Sequence, residues 1–143
     1  MYLHIIAIII IFIESIIISH FSYNQTLKKF YLLIIFIQLY VVSAFRSVEI
    51  GNDTKNYFEL FTNLANGIDI SYYVLRYEIG FLLFTKLITF ISSNPITLNI
   101  VSSIIILFLI FNAIYRNTNY VWLAILLFIN LRYFYMSLNV LRQ

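Results

Sequence analysis

At 143 residues, 62% hydrophobic and 10% charged, with a mean hydropathy of +0.93, the chain is too apolar to fold in water. Soluble domains run near half apolar and about a quarter charged, and a domain this small leaves much of its surface exposed, so lipid is the solvent this composition demands. The absence of cysteine excludes a disulfide framework, a thiolate metal site and a thiol nucleophile, and a net charge of +3 spread thinly between apolar runs excludes nucleic-acid binding.

A helix needs about 20 mostly apolar residues to cross the hydrocarbon core. The first window that approaches this length is 2–19; it lacks a basic leader and a small-x-small cleavage site and carries Glu14 deep inside, so it reads as a retained helix. The second, 30–45, is entered through Lys28 and Lys29 and left at Arg46. A weaker window, 76–91, is interrupted by Arg76, Glu78 and Lys86, and reads either as a polar spanning helix or as a re-entrant one. The fourth, 96–115, starts after Asn94-Pro95, a helix-start signal. The last, 121–140, begins beside Trp122, an aromatic suited to the membrane interface. The expected fold is therefore all-α: one polytopic transmembrane domain of about four to five segments, with one long polar loop. That loop, between Arg46 and Arg76, is rich in aromatics, and residues 54–65 are expected to form a short helix capped by Asn52 or Asp53.

Orientation rests on few charges. Lys28-Lys29 in a short loop argues that this loop is cytoplasmic and the long loop outside. Arg46, Lys55 and Arg76 weigh against this, as does Arg116, which shares the side of the long loop if every segment spans.

Three groups of polar residues can carry chemistry. In the long loop, Asp53, Asn56, Tyr57 and Leu60 share a face of a helix begun near residue 53. A carboxylate, an amide and a phenol together can hold a sugar hydroxyl and accept its proton; the simpler reading is that Asp53 caps the helix. Next, Arg76 and Glu78 sit at membrane depth or at a helix start, where Glu78 suits the helix dipole. Finally, Arg132, Asn139 and Gln143 recur at spacings that place them on one stripe of a continuous helix, near Arg142. Arginine grips phosphate oxygens with a planar fork, or else snorkels to the headgroups. Glu14 is either a buried partner for one of these arginines or an interfacial group. Metal spacings, a P-loop, a dinucleotide fingerprint and a hydrolase elbow are all missing, so neither a metal nor a cofactor is expected.

The order Arg46…Gly51-Asn52-Asp53-Thr54-x-x-Tyr57-x-x-x-Phe61, then Tyr77-Glu78-x-Gly80-Phe81, then Ser137-Leu138-Asn139-x-x-Arg142-Gln143 resembles the EpsG family of bacterial membrane proteins, Wzy-like polymerases of exopolysaccharide and capsule repeat units. The family more often reads Gly-Thr-Asp-Thr, with proline before the Gly-Phe pair; Asn52 and Ile79 stand there instead. The resemblance covers nearly the whole chain and implies that it is the N-terminal part of a longer protein. It implies glycosyl transfer on the outer face of the bacterial cytoplasmic membrane, between repeat units linked to undecaprenyl pyrophosphate. Asp53 would act on the acceptor hydroxyl, and Arg142 with Arg46 or Arg76 on the departing pyrophosphate. Asn56, Tyr57, Glu78, Asn139 and Gln143 would complete the substrate contacts. Membrane lipid and other polysaccharide-assembly proteins are the remaining expected partners. Rival expectations are a transporter or flippase subunit and a non-catalytic partner of an assembly complex. One geometric conflict stands: if all five windows span, Arg142 lies opposite the Asp53 loop, and the two can cooperate only if residues 78–91 are re-entrant or if the chain turns near Arg132–Tyr135 and Arg142 lies within the membrane.

Overall fold

The computed structural model describes residues 2–20, 25–47 and 53–139, and among these every regular element is helical. The helices are α1 (Tyr2–Ser19), α2 (Gln25–Ala44), α3 (Thr54–Ala65), α4 (Ile79–Thr89), α5 (Ile96–Asn117), α6 (Val121–Asn130) and α7 (Tyr133–Asn139), with one 3-10 turn at Ile70–Tyr73. Among the described residues, α2 and α5 are the helices both long and apolar enough to cross a membrane. At 1.5 Å per residue they measure about 30 and 33 Å, close to the hydrocarbon thickness.

The chain divides into two compact units, one formed by residues 1–42 with 104–137, the other by 43–103 with 138–143. In the first, α1 packs against α6, and α2 runs antiparallel to α5. Lys28, near the start of α2, reaches Thr118, just past the end of α5. Further along α2, Phe36 meets the edge of Phe111 at 5.5 Å. Where apolar surface drives no association in lipid, polar contacts and close packing fix the partners. Here Ser15 Oγ and Tyr31 Oη lie 2.7 Å apart, and Gln38 Nε2 donates to Glu14 Oε1 at 2.8 Å, joining α1 to α2. Glu14 thus finds an amide on the neighbouring helix, and among the described residues no arginine pairs with it. The outward faces stay apolar: Ile17 of α1 is 58% exposed and Phe108 of α5 is 61% exposed. A helix that is hydrophobic all round belongs in a core or in lipid, and these faces stay uncovered among the described residues.

In the second unit, α3 is amphipathic. Thr54, Tyr57, Leu60, Phe61 and Leu64 recur at helical spacing and are buried, while Lys55, Glu59 and Thr62 face outward. The chain leaves α3 through a Schellman turn in which Ile68 N–H donates to the Asn63 carbonyl and Gly67 N–H to that of Leu64. Gly67 takes the left-handed conformation this turn needs, at φ 91°. Asp69 then starts the 3-10 turn by accepting the Ser71 N–H at 2.7 Å, which holds its carboxyl below the usual carboxylate range. Tyr77, Phe81, Leu82 and Ile88 close over α3, together with Leu98 from the start of α5. Lys86, which breaks the apolar pattern of its window, donates to the Leu64 carbonyl in the last turn of α3 at 2.8 Å. A cation there offsets unpaired carbonyls and the negative helix end.

Two windows differ from expectation. The window 76–91 yields a helix of only 11 residues, about 16 Å long, and its polar leaders Arg76 and Glu78 precede it. The window 121–140 is broken: Leu131 ends α6, Arg132 adopts φ 62°, and α7 begins at Tyr133. The helix expected to carry Arg132 and Asn139 on one stripe is therefore not continuous, and Gln143 lies outside the described residues.

Candidate functional site

The end of α2 and the start of α5 meet through small residues. Ser43 Oγ and Ser103 Oγ are 2.6 Å apart, and both side chains are buried. Asn94 opens α5 by accepting the Ile96 N–H on its side chain at 3.0 Å, which sets Asn99 one turn into the helix. Arg46, just beyond α2, turns inward and is only 6% exposed; its Nη2 donates to Asn99 Oδ1 at 3.5 Å, the long limit of a hydrogen bond. Arg46 Nε and Asn99 Nδ2 are buried donors without a partner. Burial lowers the Arg46 pKa, yet a guanidinium stays charged at any physiological pH. No carboxylate among the described residues forms an ion pair with it. Among the described residues this buried cation has no counterion and sits beside a second unmet donor, an arrangement costly by itself that an anion accepting from both would offset.

The residues expected in the long loop are sorted differently from their common helical face. Asp53 occupies the N-cap position of α3, but its side chain makes no capping bond and is exposed; only its carbonyl is engaged, by the Tyr57 N–H at 3.0 Å. The simple capping reading of Asp53 therefore fails, and the carboxylate is left accessible. Asn56 is half-buried. Tyr57 points inward, its ring 5.1 Å from Phe81 and 6.3 Å from Tyr77. Arg76 is exposed, with its guanidinium 5.5 Å over the Tyr77 ring. Glu78 takes the N-cap position of α4 without a side-chain cap, its carbonyl accepting from Leu82 N–H. Asn139 closes α7, whereas Arg142 and Gln143 lie outside the described residues, as do Gly51 and Asn52.

Asn99 was not singled out by motif. The signal available was an amide, one of two with Asn112, in the apolar window 96–115, since an intramembrane polar group is functional by default. Ser43, Ser102 and Ser103, small residues at the same helix contact, carried the complementary signal.

Among known proteins, the model of the EpsG family matches residues 28–143, a stretch that includes Arg46, Asp53 and Asn99. No curated protein and no solved structure matches the chain.

Proposed function

Because the chain belongs to the EpsG family, membrane proteins of polysaccharide assembly, we propose that it carries the part of a polysaccharide polymerase that receives lipid-linked repeat units at the outer face of the cytoplasmic membrane. The observation that carries this reading is Arg46, a buried guanidinium whose Nε lacks an acceptor beside the equally unmet Asn99 amide.

In this reading α1, α2, α5 and the α6–α7 pair cross the bilayer, and α4 does not. Two features support it. α4 is about half the length a crossing needs, and α2 and α5 are antiparallel, so the chain between them makes no net crossing. The Lys28–Thr118 contact brings Arg116 to the same end of the helix pair as Lys28 and Lys29. In this reading the compact cluster of Lys28, Lys29 and Arg116 is the cytoplasmic end and residues 46–95 lie outside, where Arg46, Lys55, Arg76 and Lys86 are spread over a longer segment that also carries Asp53, Glu59, Asp69 and Glu78. With four crossings, the end of α7 returns to the side of Asp53, so the conflict posed by five does not arise in this reading.

The reaction is a displacement at a sugar anomeric carbon. The acceptor hydroxyl oxygen bonds to that carbon, its proton passes to the Asp53 carboxylate, and the bond to the undecaprenyl-pyrophosphate oxygen breaks. Arg46 and Asn99 receive the charge gained by the leaving pyrophosphate. Such stabilisation is a large catalytic contribution in a low-dielectric site. Arg76 on Tyr77, Asn56 and Glu78 offer exposed or half-buried polar groups for sugar hydroxyls. The test is Asp53→Asn in cells that depend on this protein, with membrane expression confirmed. The expected result is a loss of polymerisation of about 10²-fold or more, read as repeat units that stay short. Unchanged polymer length removes Asp53 from the mechanism.

A further inference from the structure

The two lysines that open α2 have different surroundings. Lys28 is buried, donates to the Thr118 carbonyl at 2.9 Å and lies 5.1 Å over the Tyr115 ring, so its charge is used within the fold. Lys29 is exposed and lines one end of a groove of about 420 Å³ between α2 and α5. Asn112 and Tyr115 share that end, and Asn112 Oδ1 holds the exposed Arg116 through its Nε at 3.1 Å. The rest of the groove is walled by Leu33 and Phe36 on one side and Phe108 and Phe111 on the other. From Lys29 to Phe36 the groove runs about 10 Å along the helix, most of the roughly 15 Å depth of one leaflet. Among the described residues, no carboxylate lines it.

A cationic, hydrogen-bonding mouth above an apolar trough has the polarity of an amphiphile with a negative head and a hydrocarbon tail. We infer that this groove holds one molecule of an anionic phospholipid, its phosphodiester at Lys29 and one acyl chain between Phe36 and Phe108. A zwitterionic headgroup brings its own ammonium to Lys29 and is disfavoured. Inorganic phosphate has no tail to fill the apolar walls. The inference is independent of the catalytic reading, because it uses neither Arg46 nor Asp53.

The test uses the full chain in vesicles. In a Trp122→Phe background, Phe36→Trp places the sole tryptophan in the groove wall, and quenching by brominated phosphatidylglycerol is compared with quenching by brominated phosphatidylcholine. The expected preference for phosphatidylglycerol is about fivefold, one cation's worth of attraction to an anionic headgroup. Lys29→Gln should reduce it to parity, and Lys55→Gln, on the outward face of α3, should leave it intact. Native mass spectrometry of the chain with unaltered Phe36, scored for retained phosphatidylglycerol with and without Lys29→Gln, covers the case in which the tryptophan variant misfolds. Equal quenching by both lipids overturns the inference, as does a preference that survives Lys29→Gln. Displacement of the lipid by inorganic phosphate alone, or protection of the groove by a second copy of the chain, also overturns it.

Discussion

At Arg46 the energetic question is why a guanidinium is held away from water with one weak partner among the described residues. Burying a charge without a counterion costs several kcal/mol, and replacing such groups with apolar residues of similar volume often leaves a protein as stable or more so. Arg46→Met combined with Asn99→Leu is therefore expected to match or exceed the parent in thermal unfolding in detergent, by up to about 3 kcal/mol, while polymerisation falls about 10²-fold or more. Arg46→Lys keeps the charge but loses the planar fork, and should retain stability with a smaller loss of activity. If the double variant unfolds more easily and the arginine proves a structural anchor, the anion-binding role is wrong. At Gly80, by contrast, an added Cβ meets nothing within 4 Å. Gly80→Ala should stabilise α4 by about 0.5–1 kcal/mol, seen as a higher unfolding temperature. A loss of activity despite that gain would mean that substrate approaches the backbone there.

At the scale of elements, the lysines that interrupt apolar windows serve helix ends. Lys86 holds the Leu64 carbonyl of α3, and Lys28 the Thr118 carbonyl beyond α5. Lys86→Met is expected to lower the stability of the α3–α4 unit by about 1 kcal/mol, measured by hydrogen exchange of the α3 amides, and to leave α1 and α6 unchanged. The same elements show what the sequence reveals. Residues 54–65 were legible as a helix because Tyr57, Phe61 and Leu64 recur with its period, and that is the helix observed. The shortness of α4 was legible only as an alternative, because Arg76, Glu78 and Lys86 interrupt the window 76–91 and left a spanning and a re-entrant helix both open. The break at Arg132 was raised only as a turn near Arg132–Tyr135: neither glycine nor proline marks it, and a left-handed arginine is set by packing rather than by local preference. For the site, Arg46 and Asp53 were legible as polar groups flanking an apolar helix. Asn99 was not, because its significance comes from the antiparallel pairing that brings it to Arg46.

For the whole molecule, the reading depends on sidedness: α2 and α5 as an antiparallel crossing pair, cations at the cytoplasmic end, and the unit with Arg46, Asp53 and the α3–α4 core outside. The chain contains no cysteine, so single cysteines report their side without background. The most direct measurement is labelling of Lys55→Cys and Lys29→Cys with a membrane-impermeant thiol reagent on intact cells, repeated after permeabilisation. Both positions are exposed. The expected result is labelling of position 55 from outside and of position 29 only after permeabilisation. The reverse pattern would put Asp53 and Arg46 in the cytoplasm, and transfer between repeat units at the outer face would be contradicted.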